Sequence, residues 1–96
     1  MKYHFVYKTT NIINQKFYIG VHSTNDLNDG YLGSGVILRK AVLKYRKENF
    51  TREILEFTDS RHSAFMLEKS LVDKGLLNST FCYNQALGGY GGNLGS

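Results

Sequence analysis

Two tyrosines near the start of the chain and one glutamate far along it are the residues best placed to do chemistry. Tyr7 and Tyr18 each lie in a short run of aromatic and β-branched residues, and a polar stretch at 9–16 separates the runs. A phenol can exchange a proton with a reacting group, although an unperturbed pKa near 10 makes it a poor base at neutral pH. Packing in a half-buried sheet is the ordinary alternative for such tyrosines.

Glu68 falls within the apolar stripe of a predicted helix. The apolar residues recur at helical spacing on one side: Ala64, Phe65, Leu67, Leu71 and Val72. Glu68 lies four residues after the first of them and four before the last, so its carboxylate belongs in or beside the buried stripe. Burying a lone carboxylate costs several kcal/mol unless it is paired, protonated or bound to a metal ion. Either a core-edge ion pair or a metal ligand satisfies this position.

The two tyrosines are predicted to lie on one face of a β-hairpin, because strand formers flank Asn-rich turn residues. Pairing Tyr7 with Tyr18 gives a face made of Tyr3, Phe5, Tyr7, Tyr18 and His22. The other face suits a core and holds His4, Val6, Phe17, Ile19 and Val21. Gly20 carries no side chain on the tyrosine face, so we expect room there for the backbone of a ligand.

A polar loop at 22–35 follows the hairpin. Asp26 and Asp29 make a poor cation site, because they are three residues apart on a loop without further acids. The segment Gly33-Ser34-Gly35 could hold a phosphate on its backbone N–H groups. The simpler interpretation makes Ser34 the N-cap of the helix that follows.

The remaining elements are predicted from periodicity and end signals. A first helix runs from Ser34 or Gly35 to Lys47, a third strand covers 50–57, and a second helix covers 60–74 with Ser60 as N-cap and Gly75 as stop. The first helix carries basic residues on both flanks of its apolar side: Arg39, Lys40, Lys44, Arg46 and Lys47. These charges indicate either a solvated surface or contacts to a phosphate backbone.

Composition predicts one small domain of a globular protein. The chain has 96 residues, of which 42% are hydrophobic and 21% charged, and a net charge of +4 that mildly favours a polyanionic partner. The single cysteine, Cys82, excludes an internal disulfide. No apolar run approaches the length of a membrane span, and the first residues lack a signal-peptide pattern, so we expect no membrane partner and a cytoplasmic location.

The order of these features resembles the GIY-YIG nucleases. The first family motif stands as Phe5-Val6-Tyr7, in which only the tyrosine is kept, and the second, Tyr18-Ile19-Gly20, is intact. The inward Glu68 and the pair Tyr83-Asn84 match later family positions. The segments YIGVHST, GYLGSG, KY and ENF resemble nucleases encoded by phages, including homing enzymes.

The resemblance covers residues 3–92 and implies both a fold and a domain plan. The fold is α+β, with a small three-stranded antiparallel sheet, formed by the N-terminal hairpin and one later strand, flanked by helices. The catalytic domain would occupy residues 1–92, and residues 93–96 would be a tail or the start of a linker.

The resemblance also implies a metal-dependent endonuclease that hydrolyses DNA phosphodiester bonds. Mg²⁺, or Mn²⁺ in its place, would bind Glu68, while DNA would also contact Lys40, Lys44, Arg46 and Lys47. The catalytic set would be Tyr7, Tyr18, His22, Arg39, Glu68 and Asn84. The family's usual arginine position falls at Asn28, so Arg39 is the nearest replacement and Lys40 and His22 are rivals. We expect a monomer or a transient dimer.

Two other functional classes fit parts of the sequence. A non-catalytic nucleic-acid-binding module would use the basic helix and stack bases on Tyr3, Tyr7 and Tyr18. A small structural protein would pack the tyrosine face and pair Glu68 with a cation.

Overall fold

The computed structural model describes residues 2–72 and 82–84. The elements follow in the order β1 (Tyr3–Asn11), β2 (Phe17–Thr24), α1 (Val36–Tyr45), a 3₁₀ turn (Lys47–Asn49), β3 (Phe50–Thr58) and α2 (Arg61–Leu71). The three strands form one antiparallel sheet in the order β2-β1-β3. The predicted α+β class, with a hairpin joined by one later strand and flanked by helices, is confirmed.

The hairpin register differs from the predicted one by two residues. Tyr7 pairs with Gly20 rather than with Tyr18. The reason lies in the turn, because β1 continues to Asn11, whose N–H donates to the carbonyl of Lys16 at 2.8 Å. The predicted faces survive, because a shift of two residues returns each side chain to the same side of a strand.

Two apolar clusters hold the helices. On one face of the sheet, α2 packs through Ala64 and Val72 against Val6, Ile19 and Val21. The second cluster lies under α1 and consists of Leu38, Ala41, Phe50 and Tyr83, with Tyr18 packed against it. Apolar residues of the hairpin therefore pack against both helices. This packing fixes the orientation of the hairpin's polar side chains.

The helix ends agree with the sequence at one helix and differ at the other. Ser60 is the N-cap of α2, as predicted, and its hydroxyl accepts from the Ser63 N–H at 3.0 Å. The predicted Ser34 cap of α1 is wrong, because Gly35 is the N-cap and no side chain caps it. Neither Lys74 nor Gly75, the predicted end of α2, lies within the described residues.

A short stretch at 82–84 lies along the outer edge of β2. Cys82 pairs with Phe17 in parallel, and the Tyr83 N–H donates to the Phe17 carbonyl at 2.7 Å. Tyr83 and Asn84, which the resemblance singled out, therefore lie on an extended segment beside the hairpin. The predicted domain boundary at residue 92 lies outside the described residues.

Within 2–72 and 82–84, no helix has the length and apolar character that a membrane crossing requires.

Candidate active site

Tyr7 is the centre of an aromatic group on the sheet. It lies in the middle strand with a side chain that is 1% exposed. Its ring centroid stands 6.3 Å from that of Tyr18, 5.9 Å from that of Tyr31 and 6.5 Å from that of His22. The structure therefore brings together three residues that the sequence predicted, Tyr7, Tyr18 and His22, and adds Tyr31.

Glycines make room for the two predicted tyrosines. A methyl group at Gly20 would stand 2.5 Å from the Tyr7 hydroxyl oxygen and 2.9 Å from Tyr18 Cε2. A methyl group at Gly35 would stand 2.6 Å from Tyr18 Cε1. Real Cβ atoms do not approach other atoms so closely, so both positions require glycine. The space expected at Gly20 for a ligand backbone is filled instead by the protein's own rings.

Both phenols keep their protons at neutral pH. Burial raises the pKa of Tyr7 well above its ordinary value of 10.0, and the nearby Tyr31, Tyr18 and Glu68 side chains raise it further. Burial also raises the pKa of Tyr18, and it outweighs a hydrogen bond to Ser34 that lowers this pKa. The charge of Glu68 is a further cause of the raised pKa at Tyr18. The two tyrosines therefore act as neutral hydrogen-bonding groups.

Glu68 is buried, as its helical spacing predicted. It lies in α2 between the core residues Ala64 and Val72, and 8% of it is exposed. Its charge raises the pKa of both Tyr7 and Tyr18. The acid and the two phenols, which are 50 or more residues apart in the sequence, therefore lie within electrostatic range of one another in the folded chain.

His22 is held by an acid from the loop that follows β2. Its Nε2 lies 2.7 Å from Asp29 Oδ2, and its ring stacks on Tyr31 with centroids 3.9 Å apart. Burial raises the pKa of the Asp29 carboxyl, but hydrogen bonds from His22, the Tyr31 N–H and Thr24 outweigh it, so this pKa lies well below its ordinary range. Asp29 is therefore charged and orients the imidazole.

Arg52 is a residue of this region that the sequence reasoning missed. It extends from β3, and its guanidinium donates to Asp29 Oδ1 at 3.2 Å, to the Tyr31 carbonyl at 2.8 Å and to the Leu27 carbonyl at 2.7 Å. The same group lies over the Phe5 ring at 5.4 Å. Arg52 thus ties the loop to the sheet. The alternating pattern of a strand does not predict such contacts, because they depend on the path of the loop.

The basic residues predicted to bind DNA lie apart from the tyrosines. Arg39, Lys40, Lys44 and Arg46 are exposed on α1 or just after it, and no described contact joins them to Tyr7 or Tyr18. Lys47 lies in the 3₁₀ turn rather than in α1, and it faces the loop that follows β2. The structure therefore divides the predicted basic set into an exposed group on α1 and one lysine beside the loop.

Asn84 is placed on the hairpin backbone. Its Oδ1 accepts from the Ile19 N–H at 2.9 Å, and its Nδ2 donates to the Ile19 carbonyl at 2.7 Å. This pair of bonds fixes the strand segment between Tyr18 and Gly20. Asn84, which the resemblance placed in the catalytic set, therefore contacts the main chain beside Tyr18.

The side chains of this site are compatible with a magnesium ion that takes some of its ligands from the substrate. Among the described residues, no three His, Cys, Asp or Glu side chains cluster as a metal site. Mg²⁺ in nucleotide-processing sites usually keeps several waters and is held by one or two carboxylates together with phosphate oxygens. Glu68 is a carboxylate of this kind, in a site where the neighbouring phenols are neutral.

Three curated relatives cover nearly the whole chain. It is similar to the putative endonucleases segE and segB of Enterobacteria phage T4, each 51% identical over 90 residues that make up 94% of this chain and 44% and 41% of those proteins. It is 47% identical to endonuclease segA of the same phage over 91 residues, or 95% of this chain and 41% of that protein. The chain spans less than half the length of these relatives. No family model matches the chain, and no solved structure matches it.

Proposed function

We propose that this chain is the cleaving part of a phage-type endonuclease that hydrolyses DNA phosphodiester bonds at a GIY-YIG-like site with Mg²⁺. The observation that carries the proposal is the grouping of the Tyr7 ring with those of Tyr18 and His22, at 6.3 and 6.5 Å, together with a buried Glu68 whose charge raises the pKa of both phenols. The chain is 51% identical to segE, named a putative endonuclease, over 90 residues. This similarity supports the proposal, because the matched 94% of the chain includes Tyr7, Tyr18 and Glu68.

Hydrolysis of a phosphodiester requires an oriented water, neutralisation of charge on the phosphate and a stabilised leaving oxygen. Glu68 is the residue that would hold the metal ion. Mg²⁺ bound there would polarise the scissile phosphate and stabilise the charge on the leaving oxygen. The two phenols and the imidazole then have to place the water and move its proton.

Tyr7 and Tyr18 serve this reaction as neutral phenols. A phenol with a raised pKa does not become a phenolate at neutral pH, so a role as a stored anionic base is disfavoured. Each hydroxyl can still donate one hydrogen bond and accept others, which suits the orientation of a water or of a phosphate oxygen. Tyr18 is the more accessible of the two, since it is half-buried while Tyr7 is 1% exposed.

His22 is the better candidate for taking the proton of the water. When its Nε2–H donates to Asp29, the other ring nitrogen, Nδ1, carries a free lone pair. A charged acid that fixes the imidazole tautomer is the arrangement used by acid–base histidines in hydrolases. Because the His22 ring lies edge-on to Tyr7 at 6.5 Å, the two can act on one water.

The exposed basic side of α1 would contact the phosphate backbone of DNA. Arg39, Lys40, Lys44 and Arg46 give this surface positive charge, and such contacts position DNA without reading its sequence.

Cleavage of supercoiled plasmid by the purified chain tests the proposal. With Mg²⁺ or Mn²⁺ we expect nicked product, and with a chelator none. Glu68→Gln keeps the shape of the side chain but removes its charge, so it should abolish cleavage. The exposed Glu56 lies on β3, and Glu56→Gln is the matched control that should cleave like the wild type. Unchanged cleavage by Glu68→Gln, with a native circular dichroism spectrum, would remove Glu68 from the reaction.

Removing the Tyr7 hydroxyl should slow the reaction without harming binding. Tyr7→Phe keeps the ring contacts but loses the hydroxyl that orients the water, so we expect kcat to fall by about a hundredfold or more while KM changes little. Tyr3→Phe removes a hydroxyl at the first residue of β1 and should leave kcat unchanged. Near-full activity of Tyr7→Phe would exclude the assignment.

A non-catalytic DNA-binding module is the second candidate, favoured by the separation of the α1 cations from the tyrosines. It requires salt-dependent DNA binding in the absence of any metal-dependent nicking. The plasmid assay therefore separates the two functions.

A further inference from the structure

A cleft opens beside the tyrosine group, between the loop that follows β2 and the start of β3. It has a volume of about 340 Å³. Five residues of the loop 27–32 line it together with Lys47, Phe50 and Arg52, and none of the described residues that line it is acidic. Its size lies at the lower end of the range of small-ligand sites, roughly 300–1,000 Å³.

The cleft offers one cation to a ligand. Arg52 is committed to the protein, because its guanidinium already donates to Asp29, to the Leu27 carbonyl and to the Tyr31 carbonyl. Lys47 is exposed, and its ammonium lies over Gly30, since a methyl group added there would stand 3.2 Å from Lys47 Nζ. An ammonium at the wall of a cleft whose described lining residues include no acid suits a phosphate oxygen.

Tyr31 joins this cleft to the tyrosine group. The same side chain that lines the cleft stacks on His22 at 3.9 Å and lies edge-on to Tyr7 at 5.9 Å. Its backbone is fixed at both ends, because its N–H donates to Asp29 and its carbonyl accepts from Arg52. One face of this ring is covered by His22, so a nucleobase would pack on the opposite face.

We propose that the cleft is a nucleotide subsite, in which Lys47 binds a phosphate and Tyr31 packs against a base of the strand that is being cut. The proposal rests on the proposed nuclease function and names a part of its substrate site. The bound nucleotide would lie next to the scissile bond, because the Tyr31 side chain lies between the cleft and Tyr7.

Binding of thymidine 5′-monophosphate to the uncleaving, metal-free chain tests the subsite independently of catalysis. In ¹H–¹⁵N NMR titrations we expect shifts of the backbone signals of 27–32 and Lys47. Thymidine alone and inorganic phosphate alone should each bind at least about tenfold more weakly, because each lacks one of the two contacts. Lys47→Gln should weaken nucleotide binding at least about tenfold, whereas Lys2→Gln, at an exposed lysine outside the cleft, should not.

Cleavage kinetics separate a failure of the subsite from a failure of the nuclease proposal. Lys47→Gln should raise KM about tenfold for plasmid DNA and leave kcat close to that of the wild type. Wild-type cleavage by Lys47→Gln, nucleotide shifts outside the cleft, or phosphate binding as tight as nucleotide binding would each overturn the subsite. A wild-type chain that binds the nucleotide in the cleft but cuts no DNA would overturn the nuclease proposal alone.

Discussion

Two acidic side chains around His22 have pKa values shifted in opposite directions. The pKa of Tyr7 is raised, and burial is the largest cause. Asp29 is also subject to burial that raises its pKa, yet the hydrogen bonds from His22, the Tyr31 N–H and Thr24 lower it further than burial raises it. At neutral pH the proton therefore stays on the phenol and the charge on the carboxylate, which is the division that the proposed role of His22 as a base requires.

The raised pKa of Tyr7 predicts a loss of stability in alkali. Because the folded-state pKa lies above the unfolded-state value of about 10, the stabilisation is fully present below about pH 10 and is lost as the pH rises further. Urea unfolding at about pH 8 and about pH 11 measures this loss. We expect a smaller alkaline loss in Tyr7→Phe than in the wild type, and an unaltered loss in Tyr3→Phe. Equal losses in all three would contradict the buried, protonated phenol.

The sequence predicted the placement of residues where the periodicity of a strand or a helix determines it. Alternation on the strands predicted the shared face of Tyr7, Tyr18 and His22, and the helical repeat predicted the burial of Glu68. The contacts of Tyr31 and Arg52 escaped prediction, because both depend on the route that a loop takes between elements. Asp29 was weighed only as a cation ligand and serves instead as the partner of His22.

At the level of elements, the hairpin shows what a pattern can and cannot fix. The alternation of side chains determines which residues face the core, and it tolerates any even shift in pairing. The pairing itself depends on the turn, where Gln15 takes a φ of 65° and donates its N–H to the Asn11 carbonyl at 2.8 Å. Nothing in the composition of 9–16 predicted that β1 would run four residues beyond Tyr7.

The end of α1 contains a strained residue, which predicts a stabilising substitution. Arg46 has φ 75° and ψ 144°, a region that residues with a side chain rarely adopt. Arg46→Gly should therefore raise the free energy of unfolding by about 1 kcal/mol in urea titrations. Arg39→Gly, within the same helix, should lower it by about 1 kcal/mol. A loss of stability in Arg46→Gly would show that the side chain contributes more than its backbone costs.

For the molecule as a whole, the stretch at 82–84 connects a distant part of the chain to the hairpin. Tyr83 packs under α1 in the second apolar cluster, while the flanking Cys82 and Asn84 bond along β2. Asparagine often hydrogen-bonds the local backbone, so the residue type of Asn84 by itself indicates no more than a turn. Its long-range bonds to Ile19 could not be inferred from neighbouring residues.

Asn84→Ala should therefore destabilise the whole fold. The variant leaves the N–H and the carbonyl of Ile19 without their side-chain partners, so we expect the free energy of unfolding to fall by about 1–3 kcal/mol. Asn25→Ala, at an exposed position after β2, is the control and should change it by less than about 0.5 kcal/mol. A stable Asn84→Ala that had lost cleavage would instead assign Asn84 to the reaction.

The same stretch sets a limit on how the chain can be trimmed. A product ending after α2 would leave the main-chain groups of Phe17 and Ile19 open to solvent along the outer side of β2. An unprotected row of such groups recruits strands from other molecules and leads to aggregates. Deletion series or fusions that aim for a minimal soluble unit should therefore retain every residue up to Asn84.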